Sequence, residues 1–191
     1  MNQLKPRQLD IMQSLAKMLG EKGPVKITTS LLANECGITE AAIYRHFPSK
    51  RSIYAELFSY CDDAIFSKCA ELKKADLDSK EKVKNIFLFF MLFIEKNKGF
   101  ARLLSREALS PAEKNVSDSV NQFYERFELT VKQILAEETS SLISQPGISS
   151  QLITTYLEGN VSRYIRSKFK DSPSNYIDNA WELLSINIFK S

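Results

Sequence analysis

The chain has 191 residues, 43% of them apolar, and a formal charge of +3. That content supports a sizeable core in one compact unit or two small ones, and no apolar run approaches the roughly 20 residues a helical membrane span needs. Three cysteines without a CxxC pair argue against a disulfide framework, and a single histidine argues against a His-built metal site, so no metal or cofactor is expected.

The charge is unevenly placed: residues 1–57 carry 8 Lys+Arg against 5 Asp+Glu, whereas residues 58–191 carry 18 of each. The excess cations in the first third hint at a polyanion partner for that segment alone. The start "MNQLKPRQLDIMQSL" has no apolar stretch followed by a small-residue cleavage site, which leaves a cytoplasmic address as the expectation.

Apolar spacing is helical nearly throughout, and strand-like alternation between turn signals is absent, so the chain reads as all-α. A first helix is expected from Pro6 to Leu19, with Leu9, Met12, Leu15, Ala16 and Leu19 on one face before "GEKGP" ends it. Two short helices follow at about 29–36 and 40–47, and Ser49 can cap a longer one reaching Leu72. After the polar stretch "KKADLDSK", a helix is expected at about 80–97. In "SPAE", Ser110, Pro111 and Glu113 stand as N-cap, first-turn proline and capping-box partner of a helix reaching Glu138. "SSLISQPGISS" reads as a loop, and helices at about 149–170 and 175–189 complete the chain.

The informative segment is "TSLLANECGITEAAIYRH", Thr29 to His46. Ala33 is small where two helices must approach, Gly37 suits a left-handed turn, and Ile43 supplies the contact from the second helix, with Leu32, Cys36 and Ile38 completing a miniature core. This is the spacing of a helix-turn-helix whose second helix can enter a major groove by its N-terminal end. Thr39, Ala41 and Arg45 are placed to meet base edges, including thymine methyls. Tyr44 and His46 can donate to phosphates, with Thr28 and Thr29 at the preceding helix start also facing the backbone. Lys50, in the first turn of the helix capped by Ser49, is expected to hold a phosphate together with that turn's N–H groups. No nucleophile–base pairing or phosphate-cradling Gly loop is visible, so an enzyme is not expected.

"ITTSLLANECGITEAAIYRHFPSK" resembles the N-terminal DNA-binding domain of TetR-type regulators, whose hallmark is a helix-turn-helix ending in Tyr-x-His-Phe and followed by Ser-Lys. Together with "EGNVSRYIRSKFKDSPSNYIDNAW" at 158–181, it resembles the nucleoid occlusion branch of that family over almost the full chain. The resemblance implies a TetR-like fold, with a helix-turn-helix DNA-binding domain at 1–50 and a helical effector and dimerisation domain at 51–191. It also implies a homodimer, one or several per palindromic double-stranded site on the nucleoid, that inhibits division by binding the C-terminal tail of FtsZ and disrupting its polymers.

Relatives of this fold dimerise through their last two helices. Here Ile177, Trp181, Leu184 and Ile188 fall on one stripe, and Ile153, Leu157, Val161 and Tyr164 on another, as a four-helix interface requires, with burial inside the subunit as the alternative. The run "IFLFFMLFI" at 86–94 is apolar around the whole helix, as expected of a buried element. Three readings of this region stay open: plain core, an inducer pocket as in a small-molecule-responsive repressor, and an external groove. By resemblance, the groove would use Tyr60, Phe89 and Leu92 for apolar residues of the FtsZ tail, with Lys68 and Lys96 for its acidic ones.

Overall fold

The computed structural model describes residues 4–21 and 27–190. Among these residues there are nine α-helices and no strand, and Leu142 and Phe189 form an isolated antiparallel bridge. The helices are α1 (Pro6–Glu21), α2 (Thr29–Glu35), α3 (Glu40–His46), α4 (Lys50–Lys74), α5 (Ser79–Lys96), α6 (Lys98–Leu104), α7 (Lys114–Leu135), α8 (Pro146–Arg166) and α9 (Ile177–Ile188). The expectation of a helix stop at "GEKGP" falls partly on residues 22–24, outside the described residues.

The chain packs as two compact units. One comprises residues 1–61 with 97–120, the other 62–96 with 121–191. The sequence suggests a boundary at residue 50, whereas packing carries the first unit into α4 and adds α6, a helix that sequence spacing does not announce.

In the first unit, α1 buries Met12, Leu15 and Leu19 of the expected face together with Ile11, whereas Leu9 and Ala16 are only half-buried. α6 crosses α1 at close range: a Cβ on Gly99 would lie 2.5 Å from the Ala16 carbonyl oxygen. Only a glycine permits that approach. Phe58 and Phe100 pack with ring centroids 5.5 Å apart. Ser110 and Glu113 form the expected capping box, around a 3-10 turn at Pro111–Glu113 that leads into α7.

The second unit is organised around α5. Phe87, Phe90, Met91 and Ile94 are buried, but Leu92 is 40% exposed, so the run at 86–94 is not enclosed on every side. Phe90 packs against Phe127 at 5.2 Å and Phe123 at 6.2 Å, while Phe87 meets Trp181 at 5.5 Å. α8 begins at Pro146, inside the stretch expected to be a loop, because proline at a first helical position costs no hydrogen bond. Cys61 in the first unit and Cys69 in the second are buried, and burial pushes their thiols up to about 12 and about 11. They are inert core groups.

Candidate nucleic-acid interface

Thr28 caps α2 by accepting from the Leu31 N–H at 3.2 Å, and Thr39 caps α3 by accepting from the Ala42 N–H at 3.2 Å. Between the helices, Gly37 adopts φ +63°, and the Ile38 N–H returns to the Ala33 carbonyl at 3.0 Å. A left-handed glycine therefore closes α2 and aims the chain into α3. Leu32, Ala33 and Ile43 are buried at the crossing. Phe47, also buried, ends α3 in extended backbone, as the residue before Pro48 must.

With Ile43 and Phe47 inside, α3 presents Glu40, Ala41, Tyr44 and Arg45 outward. The Tyr44 hydroxyl donates to Thr29 Oγ1 at 3.3 Å, tying the exposed face of α3 to the first turn of α2. Gln8 Nε2 donates to the His46 carbonyl at 3.2 Å, so α1 braces the far end. Thr28 and Thr39 are exposed, and Thr29 and His46 are half-buried. The structure thus gathers Thr28, Thr29, Thr39, Ala41, Tyr44 and Arg45 onto the α2–α3 pair, with His46 at its margin.

Lys50 is also engaged within the fold. Its Nζ stands 3.1 Å from Glu113 Oε1, donates to the Ile27 carbonyl at 3.2 Å, and lies 5.1 Å from the Tyr54 ring centroid. Glu113 is 1% exposed, and a buried carboxylate needs such a counter-charge. Burial alone would raise the Glu113 pKa, but hydrogen bonds from the Ser110 side chain and backbone and from Lys50, with the Lys50 charge, hold it below the ordinary value. Arg51, the next residue, is exposed. The Glu113 partnership was hidden because "SPAE" signals only its local capping role, and the ion pair is formed far along the chain. Ser49 does cap α4: its hydroxyl accepts from the Ser52 N–H at 3.1 Å, and the Ser49 N–H donates to Ser52 Oγ at 3.2 Å.

The stripes expected at the dimer interface require correction. Ile153, Leu157, Val161, Tyr164, Ile177, Trp181, Leu184 and Ile188 are each at most 9% exposed in the single chain, so they form the subunit's own core. The outward stripes of the same helices are Ile148, Leu152, Thr155 and Gly159 on α8, and Asn179, Leu183 and Ile186 on α9. Of the residues expected in a peptide groove, Tyr60 and Leu92 are exposed, Lys96 is exposed at the end of α5, and Phe89 is half-buried against Phe93. Lys68 pairs with Glu71 at 2.6 Å.

The profile of bacterial regulatory proteins of the tetR family matches residues 11–57, and that of a tetracyclin repressor-like C-terminal domain matches residues 78–188. Nucleoid occlusion factor SlmA of Vibrio campbellii is 35% identical over 95% of both chains. SlmA of Marinobacter nauticus is 31% identical over 96% of both. Among solved structures, the fatty acid degradation regulator FadR of Bacillus halodurans superposes with a TM-score of 0.80 at 16% identity, covering 96% of each chain. FadR of Bacillus subtilis, solved with stearoyl-CoA, gives 0.74 at 18% identity, covering 94% of this chain and 98% of its own. These structures share the fold. With a tetR-type reader at its N-terminus and SlmA-like sequence along nearly its whole length, the chain belongs to the SlmA nucleoid occlusion factors of the tetR family.

Proposed function

We propose that the chain acts as a homodimer on palindromic chromosomal DNA in the cytoplasm and, while bound there, inhibits cell division by engaging the C-terminal tail of FtsZ. The observation that carries the DNA half is the exposed face of α3, with Ala41, Tyr44 and Arg45 held outward over buried Ile43 and next to capping Thr39. It serves as the recognition helix, with Thr39, Ala41 and Arg45 toward base edges and Thr28, Thr29, Tyr44 and His46 toward phosphates. The activity is binding, without catalysis.

The dimer is built from the outward stripes of α8 and α9. Leu152 is 44% exposed, and Leu183 and Ile186 are each 66% exposed, an unpartnered apolar area that association would cover. Gly159 supports this, since among the described residues no atom beyond its own helix turn lies within 4 Å of the position a Cβ would take. Its lack of a side chain lets a partner helix approach closely.

For the FtsZ tail, Phe89 and Leu92 on α5 offer apolar surface, and Lys68 and Lys96 offer cations for an acidic peptide. The packing of the Phe90, Phe123 and Phe127 rings on one another, and of Phe87 on Trp181, favours this external mode over an inducer cavity. Two assays test the whole reading: selection of duplexes from a random pool, and titration with an FtsZ tail peptide. Palindromic selected sites and saturable peptide binding are expected.

A further inference from the structure

We propose that Lys168 and Lys170, on the connection between α8 and α9, extend the peptide-binding surface beyond the end of α5 and hold acidic residues of the bound peptide. The inference rests on the peptide reading above and deepens it. The connection is fastened to the last turn of α5: Glu95 accepts from the Ser174 N–H at 2.9 Å and from the Ser174 hydroxyl at 3.1 Å, and the Tyr164 hydroxyl donates to the Glu95 carbonyl at 3.3 Å. Burial alone would raise the Glu95 pKa, but hydrogen bonds from Ser172 and Ser174 and the charge of Lys96 hold it below the ordinary value. The Glu95 carboxylate is thus committed to the connection, right beside exposed Lys96.

Lys168 stands where a glycine is the default. At the end of α8 the Lys168 N–H donates to the Ile165 carbonyl at 2.8 Å and the Phe169 N–H to the Tyr164 carbonyl at 2.9 Å, a helix end that needs a left-handed residue just past its cap. Lys168 has φ +55° and Phe169 φ +61°. Ring packing accounts for Phe169, whose centroid lies 5.0 Å from that of Tyr164. Lys168 is exposed, so its charge, which a glycine would lack, is what the strained position carries. Arg163 is taken by Asp171 and lies over the Tyr176 ring, whereas Lys168 and Lys170 make no ion pair among the described residues. Ser167 Oγ accepts from the Lys170 N–H at 3.2 Å and the Asp171 N–H at 3.0 Å, so both cations stand on an ordered backbone that has little freedom to lose on binding. The connection, α5 and Lys96 belong to the second unit, and the helix-turn-helix to the first, which favours an acidic peptide over DNA as the occupant.

The test uses the full chain and a labelled FtsZ C-terminal tail peptide, with affinity read across a salt series. Lys168→Gly with Lys170→Gln removes both charges and gives the left-handed position the residue that suits it best. Peptide affinity should fall about threefold to tenfold, and its dependence on salt should become shallower. Tm should match or exceed that of the wild type, a result that a purely structural role for Lys168 would not give. Affinity for a duplex selected by the wild-type protein from a random-sequence pool should stay unchanged. Lys168→Arg with Lys170→Arg, which keeps both charges, should bind the peptide as the wild type does.

Unchanged peptide affinity in the Lys168→Gly, Lys170→Gln variant, beside a wild type that binds, would leave the peptide reading standing and overturn this inference. An equal loss of peptide binding in the arginine variant would make the shape of the connection the cause and overturn it as well. Weaker duplex binding with a salt slope reduced by about one or more would make the two lysines a DNA contact and overturn it too. A wild-type chain that binds no peptide, with or without the duplex, would defeat the peptide reading itself, and this inference with it.

Discussion

Gly99 of α6 packs on Ala16 of α1 so closely that an added Cβ would lie 2.5 Å from the Ala16 carbonyl oxygen and 2.8 Å from its Cα. These are backbone atoms and cannot swing aside. Gly99→Ala should therefore destabilise the chain by about 1–3 kcal/mol or more, lowering Tm by about 2–4 °C per kcal/mol for a chain of this size. Gly159→Ala, with open space around its Cβ position, should leave subunit folding nearly intact. Equal Tm values for wild type and Gly99→Ala would contradict the close crossing.

The two faces of α8 and α9 make opposite predictions. Trp181→Ala should cost about 3–5 kcal/mol of stability as a core deletion, read by urea unfolding. Leu183→Asp and Ile186→Asp should give folded monomers by light scattering with unchanged helical circular dichroism. Dimers that survive both charge substitutions would place the interface elsewhere.

Sequence spacing located the helix-turn-helix far better than the outward faces of α8 and α9. Caps, the left-handed Gly37 and the buried Ile43 are local devices, so Thr28 to Phe47 could be read almost residue by residue. On α8 and α9 both faces carry apolar residues, and periodicity finds a stripe without saying which one looks inward. α6 escaped for a related reason: Gly99 lies in its first turn, and the helix carries no side-chain capping bond at its start. Packing on α1, a tertiary effect, stabilises it. Lys50 resembled a free cation at a helix start because its partner Glu113 is remote in sequence.

Base reading should separate from phosphate holding. Arg45→Ala should cost about 1–3 kcal/mol on the preferred duplex, and Thr39 or Ala41 substitutions should change the ranking of sites. Tyr44→Phe, which removes the hydroxyl shared with Thr29, should weaken all duplexes alike. Competition anisotropy with matched and mutated sites distinguishes these. Uniform losses from Thr39, Ala41 and Arg45 changes would refute the assignment to base edges.

Acid should selectively remove the Glu113 contribution to stability. Its pKa is lowered in the folded chain, so that contribution is complete above the ordinary carboxylate pKa of about 4.3 and is lost as pH falls through the lower folded value. The stability difference between wild type and Glu113→Gln should be largest near neutral pH and shrink on acidification. Urea unfolding midpoints at several pH values measure it, and a difference that widens in acid would contradict the assigned ion pair.

The most direct test of the division-control reading is binding of a labelled FtsZ C-terminal tail peptide to the full chain, with and without a selected DNA duplex. The account predicts saturable binding that Leu92→Ala weakens through lost apolar contact and that Lys68→Glu or Lys96→Glu weakens further as charge attraction is reversed. Absence of binding in both the free and the DNA-bound protein would contradict it.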